Sequence, residues 1–162
     1  MKQRLFKLIL TFLLWTLVFA LQKPVFMAYY HRLYAEASIG DWLSVMWHGL
    51  PLDLSLAGYL TALPALLLIV SVWTMAVWLR KTARAYFMIM ALIVSVIFVV
   101  DLGLYQFWGF RLDATPVFYF LSSSADALAS VGWGFKLVAL ITMLFLAFFI
   151  FLMFRAWVLH PA

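Results

Sequence analysis

Residues 54–79 run for 26 positions without one charged side chain, and that run constrains the fold more than any other feature. An α-helix rises about 1.5 Å per residue and the hydrocarbon layer of a bilayer is about 30 Å thick, so about 20 apolar residues cross it. Three further stretches qualify. Residues 5–21 carry only Lys7, one turn in, where its stem can reach back to the interface. Residues 85–100 are uncharged, meet Asp101, and continue apolar and aromatic to Phe110; residues 137–154 are again uncharged. No ten-residue alternation of apolar and polar positions appears, which argues against membrane strands.

Composition agrees. The 162 residues are 69% hydrophobic and 10% charged, against about 25% charged in a typical soluble domain. A water-soluble globular domain and a disordered tail are both excluded. With no cysteine there is no disulfide framework, thiolate metal site or cysteine nucleophile. The net charge of +5 does not make so apolar a chain a nucleic-acid binder; it needs explaining by position.

These runs predict an all-α polytopic membrane protein, a single transmembrane module over residues 1–162 with helices at about 5–34, 52–79, 84–108 and 135–158. The first stretch has a second reading. Lys2 and Arg4 ahead of an apolar run ending Val18-Phe19-Ala20 also resemble a cleavable secretory signal. Apolar and aromatic character resumes beyond Lys23 and Pro24, which favours a retained helix, kinked at the proline and continuing to about Tyr34.

Charge then sets orientation. With a cytoplasmic N-terminus and four crossings, the inner segments hold Lys2, Arg4, Lys7, Arg80, Lys81, Arg84 and Arg155 and no acid. The outer segments hold Lys23, Arg32, Arg111 and Lys136 against Glu36, Asp41, Asp53, Asp101, Asp113 and Asp126. Basic loops face the cytoplasm, so all six acids lie outside, where recognition or chemistry is to be sought.

The first outer segment is rich in Tyr and Trp. Ser38, three residues before Asp41, reads as an N-cap opening a short interfacial helix through Trp47. Its aromatics fit a belt that sets membrane depth, or a binding surface. The second outer segment contains Trp108-Gly109-Phe110-Arg111-Leu112-Asp113-Ala114-Thr115-Pro116, with Pro116 suited to a first helical position and residues 126–131 to another interfacial helix. Asp101 interrupts an apolar run and is therefore a candidate site by default. It lies 16 residues beyond Ala85, about 24 Å along a helix, near the outer interface. Asp53 falls at the same level. Arg111 with Asp101, Asp53 or Asp113 forms either a structural cluster or a site for a polar substrate or ion. Tyr105 and Trp108 share the helix face of Asp101 and would line such a recess. No paired metal-binding histidines, phosphate loop or serine elbow appears.

Two stretches, GLPLDLSLAGYLTALP from Gly49 and DLGLYQFWGFRLDATPVFYFL from Asp101, resemble the N-terminal membrane part of lipoteichoic-acid-synthase-like sulfatases, phosphoglycerol-transferase-type enzymes of the alkaline phosphatase superfamily, in a Bacteroidetes-like branch. The chain keeps that part's G-x-x-x-D-L-S helix start and its D-x-x-x-Y-x-x-W-G-x-R-L-D-A-T-P loop. The resemblance implies a bacterial cytoplasmic membrane protein in which a five-helix membrane domain precedes an extracytoplasmic α/β catalytic domain. That domain carries a threonine nucleophile and a divalent metal, often manganese. The membrane module is then expected to help hold a phospholipid head group at the outer leaflet, with Arg111 as the phosphate partner, because its planar fork can bind an oxyanion in two places, and with Tyr105 and Trp108 flanking it. The sequence holds four helices and no catalytic domain, so it is expected to be a truncated or split module with no cofactor of its own. A stand-alone four-helix binding or scaffold protein, and an ion-coupled transporter using Asp101, are the other classes considered.

Overall fold

The computed structural model describes residues 2–74, 77–109 and 132–158. Among them it is helical without strands: α1 Lys2–Tyr29, α2 Ile39–Trp73, α3 Val77–Trp108 and α4 Trp133–Trp157. All four are long and apolar enough to cross a membrane. The surface fits that reading. Leu5, Phe6, Ile9, Leu13, Leu17 and Leu21 recur at helical spacing on α1 and are exposed, while Thr11, Trp15, Val18, Phe19 and Phe26 are buried. A helix with large apolar residues on its outer face is solvated by lipid, since soluble proteins leave no such continuous patch in water.

Three of the four helices have a boundary that differs from expectation by more than the usual fraying. The first helix runs unbroken through Pro24 but stops at Tyr29 instead of Tyr34. Residues 30–36 are turns, held by bonds from Leu33 N to Tyr30 O, Tyr34 N to His31 O and Ala37 N to Tyr34 O. These i→i−3 bonds replace the helical ladder as the chain prepares to reverse. Ser38 then caps α2 as expected. Its hydroxyl accepts from Asp41 N at 3.2 Å and the Asp41 carboxylate accepts from Ser38 N at 2.8 Å, a complete capping box.

The separate interfacial helix expected over residues 38–47 is instead the first part of α2, which starts at Ile39 and not near 52. Pro51 does not break it. A proline removes one N–H and frees the carbonyl four residues back, here Trp47, in an exposed part of the helix where water or head groups can reach. Pro64 sits deeper and needs a protein partner. The carbonyl it frees is that of Leu60, and the Tyr86 hydroxyl donates to it at 2.7 Å. α2 ends at Trp73, short of residue 79, because Thr74 is extended (φ −142°, ψ 132°). α3 begins at Val77, earlier than residue 84: Arg80, Lys81 and Arg84 are good helix formers and all three are exposed, so their charges cost the helix little. α4 lies within two residues of its expected bounds.

The described residues fall into two compact units. The first takes in those up to Phe87 and those from Ile150 onward; the second lies between Met88 and Phe149. In the first, α1 packs on α2. Its aromatic core joins Trp15, Phe87 and Phe154, with ring centroids 4.4 Å apart for Trp15–Phe154 and 4.7 Å for the stacked Phe87–Phe154 pair. The buried face of α2 is small and polar: Asp53, Ala57, Thr61 and Pro64. The Thr61 hydroxyl donates to its own helix at Ala57 O, 2.7 Å away, so that face presents no unsatisfied hydroxyl. In the second unit α3 buries Ala91, Val94, Ser95, Phe98 and Asp101, with the Ser95 hydroxyl donating to Ala91 O at 2.7 Å. The interfacial helix expected over residues 126–131 lies outside the described residues.

Candidate functional site

Asp53 sits on the buried face of α2 and is 7% exposed. An isolated carboxylate there would carry a desolvation cost of several kcal/mol. It is not isolated. Lys23 of α1 donates to both carboxylate oxygens, at 2.6 Å to Oδ1 and 2.5 Å to Oδ2. Only 15% of the Lys23 side chain and 9% of the Asp53 side chain is exposed. The pair thus joins two helices across 30 positions of sequence. From Asp53 to the end of α2 at Trp73 there are 21 residues, about 30 Å of helix, which matches one hydrocarbon thickness.

Gly49 lies one turn before Asp53 on the same face of α2. The Lys23 stem passes directly over it: a Cβ at position 49 would collide with Lys23 Cε and stand 2.8 Å from Nζ and 2.9 Å from Cδ. The glycine makes room for the approach of a side chain, not for an unusual backbone angle. Asp53 was expected among the partners of Arg111. The structure gives it a different cation, and both its oxygens already accept from that cation.

In the second unit Asp101 is 3% exposed and Tyr105, one turn on, is half-buried on the same helix. Asp101 is engaged with its surroundings. Beside it Gly103 is buried against α4, where an added Cβ would come within 2.9 Å of Phe135 Cζ. Trp108 is the last residue of α3, and Gly109 ends the helix with φ +72°, its N–H returning to Tyr105 O at 3.0 Å. This is a left-handed helix stop that a side chain would strain, which explains a glycine directly after Trp108. Arg111 and Asp113, the remaining members of the expected cluster, lie outside the described residues.

Lys23 is the residue that reading the sequence missed as a site partner. Two signals pointed to it. The charge distribution places both Lys23 and Asp53 among the residues expected on the outer side, and each lies where an apolar stretch begins or ends. Chemically the described residues offer a neutralised ion pair, one further buried carboxylate and a flanking tyrosine. Among them no group of three or more His, Asp or Glu side chains stands close enough to hold a metal ion. Compared with protein-family models, curated proteins and solved structures, the chain matches none.

Proposed function

We propose that this chain is the membrane module of a lipoteichoic-acid-synthase-like phosphoglycerol, or related head-group, transferase of the sulfatase type. In this reading it spans the bacterial cytoplasmic membrane with its N-terminus inside, anchors an extracytoplasmic catalytic domain, and helps hold a phospholipid head group at the outer leaflet. The catalytic domain, with its threonine nucleophile and divalent metal, is a separate part of the enzyme, and no step of the reaction is assigned to these 162 residues. The observation that carries the proposal is the motif that starts at Asp101 and continues through Tyr105, Trp108, Gly109, Arg111, Asp113 and Pro116, directly after an apolar helix. The buried Asp101, the half-buried Tyr105 and the glycine stop at Gly109 support it, because they give the start of that motif a defined geometry. Arg111 is the phosphate ligand, since a guanidinium fork can hold two oxyanion oxygens at once. Asp53 belongs with Lys23 and is left out of the head-group set.

The test is native mass spectrometry of the full chain released from bilayers containing phosphatidylglycerol and phosphatidylcholine in equal amounts. Retention of phosphatidylglycerol over phosphatidylcholine is expected for the wild type. Arg111→Ala should abolish that preference and Arg111→Lys should restore part of it. An Arg111→Ala protein with unchanged preference would remove the head-group role. In the gene, a reading frame continuing past Ala162 into a fifth helix and an α/β domain with a threonine nucleophile is expected. A stop codon there would overturn the module reading and leave a scaffold protein that uses its exposed aromatics.

A further inference from the structure

We infer that Lys23, Gly49 and Asp53 form a register lock between α1 and α2, in which Gly49 is the slot through which the lysine reaches its carboxylate. Three observations carry it. The ammonium is held by both Asp53 oxygens, at 2.6 and 2.5 Å. Both side chains are largely buried. The lysine stem occupies the space that any side chain at position 49 would take. A lysine would ordinarily swing away from an added methyl group, but here swinging away means leaving the carboxylate. Between membrane helices there is no hydrophobic driving force, so association rests on van der Waals packing and on polar contacts. A buried ion pair distinguishes one register from the others, because a slip of one turn leaves two unpaired charges. The four-residue spacing of Gly49 and Asp53 follows from this geometry: one turn of helix separates the slot from the anchor. The lock encloses the excursion from Pro24 to Leu52, which holds Tyr29, Tyr30, Tyr34, Trp42 and Trp47. It therefore fixes the base from which those aromatics project. It involves neither Arg111 nor a lipid head group, so it stands or falls separately from the proposed function.

The chain has no cysteine, so introduced thiols report alone. A cysteine at Ala20 is paired in turn with cysteines at Leu43, Met46, Trp47 and Leu50, which line one groove with it, and the yield of bridging by a short bis-maleimide is measured in proteoliposomes. One position should dominate in the parent. The apolar double variant Lys23→Leu/Asp53→Leu, which leaves no buried charge and should still fold, is expected to spread the yield over neighbouring positions. Gly49→Ala should spread it likewise with both charges present. Gly58→Ala is the control, since nothing lies within 4 Å of a Cβ there, and it should keep the parent profile. An unchanged profile in the double variant overturns the lock. An unchanged profile in Gly49→Ala overturns the slot.

Discussion

Removing one member of the Lys23–Asp53 pair strands the other in a place where less than a sixth of its side chain meets the surroundings. Breaking a buried pair costs about 3–5 kcal/mol, whereas replacing both partners by apolar residues is often neutral. Asp53→Ala is therefore expected to lower unfolding stability in detergent by about 3 kcal/mol, the low end, because the lysine stem can turn its head toward the interface. Lys23→Leu/Asp53→Leu should recover most of that loss, as read in a denaturant titration of the same chain. A double variant as unstable as the single would mean that the pair stabilises the fold outright instead of selecting a geometry. That Asp53 needs a counter-charge followed from its chemistry. Which of four outer bases supplies it depended on how α1 rotates against α2, and no local pattern encodes that rotation.

At the level of elements, α2 is the helix that most defies local rules, with two prolines inside 35 residues. Each proline frees a carbonyl, and the two are handled differently because they sit at different depths. Pro64 is met by the Tyr86 hydroxyl at Leu60 O. Tyr86→Phe is expected to cost about 1 kcal/mol, in the range of interhelical hydrogen bonds in membranes. Pro64→Ala supplies an N–H to the same carbonyl, so in that background Tyr86→Phe should cost nearly nothing; a thermodynamic cycle on the four proteins checks the coupling. Equal costs in both backgrounds would mean that the tyrosine contributes by packing alone. The capping box at Ser38 was legible because both its residues are local and its chemistry depends on three positions only. The fusion of the following segment into α2 was not, because its mixed aromatic and polar character fits a helix lying in the interface as well as the first turns of a longer one. The early start of α3 was hidden for a similar reason: a basic loop and a basic exposed helix face look alike until burial separates them.

For the whole molecule, the uneven distribution of charge makes a topological prediction that the introduced-cysteine approach can read directly. A cysteine at Glu36 should react with a membrane-impermeant maleimide in intact cells, and one at Lys81 only after the membrane is opened; both sites are exposed. The reverse pattern would invert the orientation and move the acidic residues to the cytoplasm, along with the head-group proposal. Four long apolar helices, the absence of strands among the described residues and the Ser38 helix start were all readable from the chain alone. Each rests on length, periodicity or a contact spanning three residues, and such quantities are written locally. The tertiary structure decided that Asp53 answers to Lys23, that Tyr86 completes Leu60, and that Gly49 is empty so that a lysine can pass. These contacts join residues 26 or more positions apart, and they depend on how each helix turns its face toward the next, a choice that apolar composition leaves open and polar pairing closes.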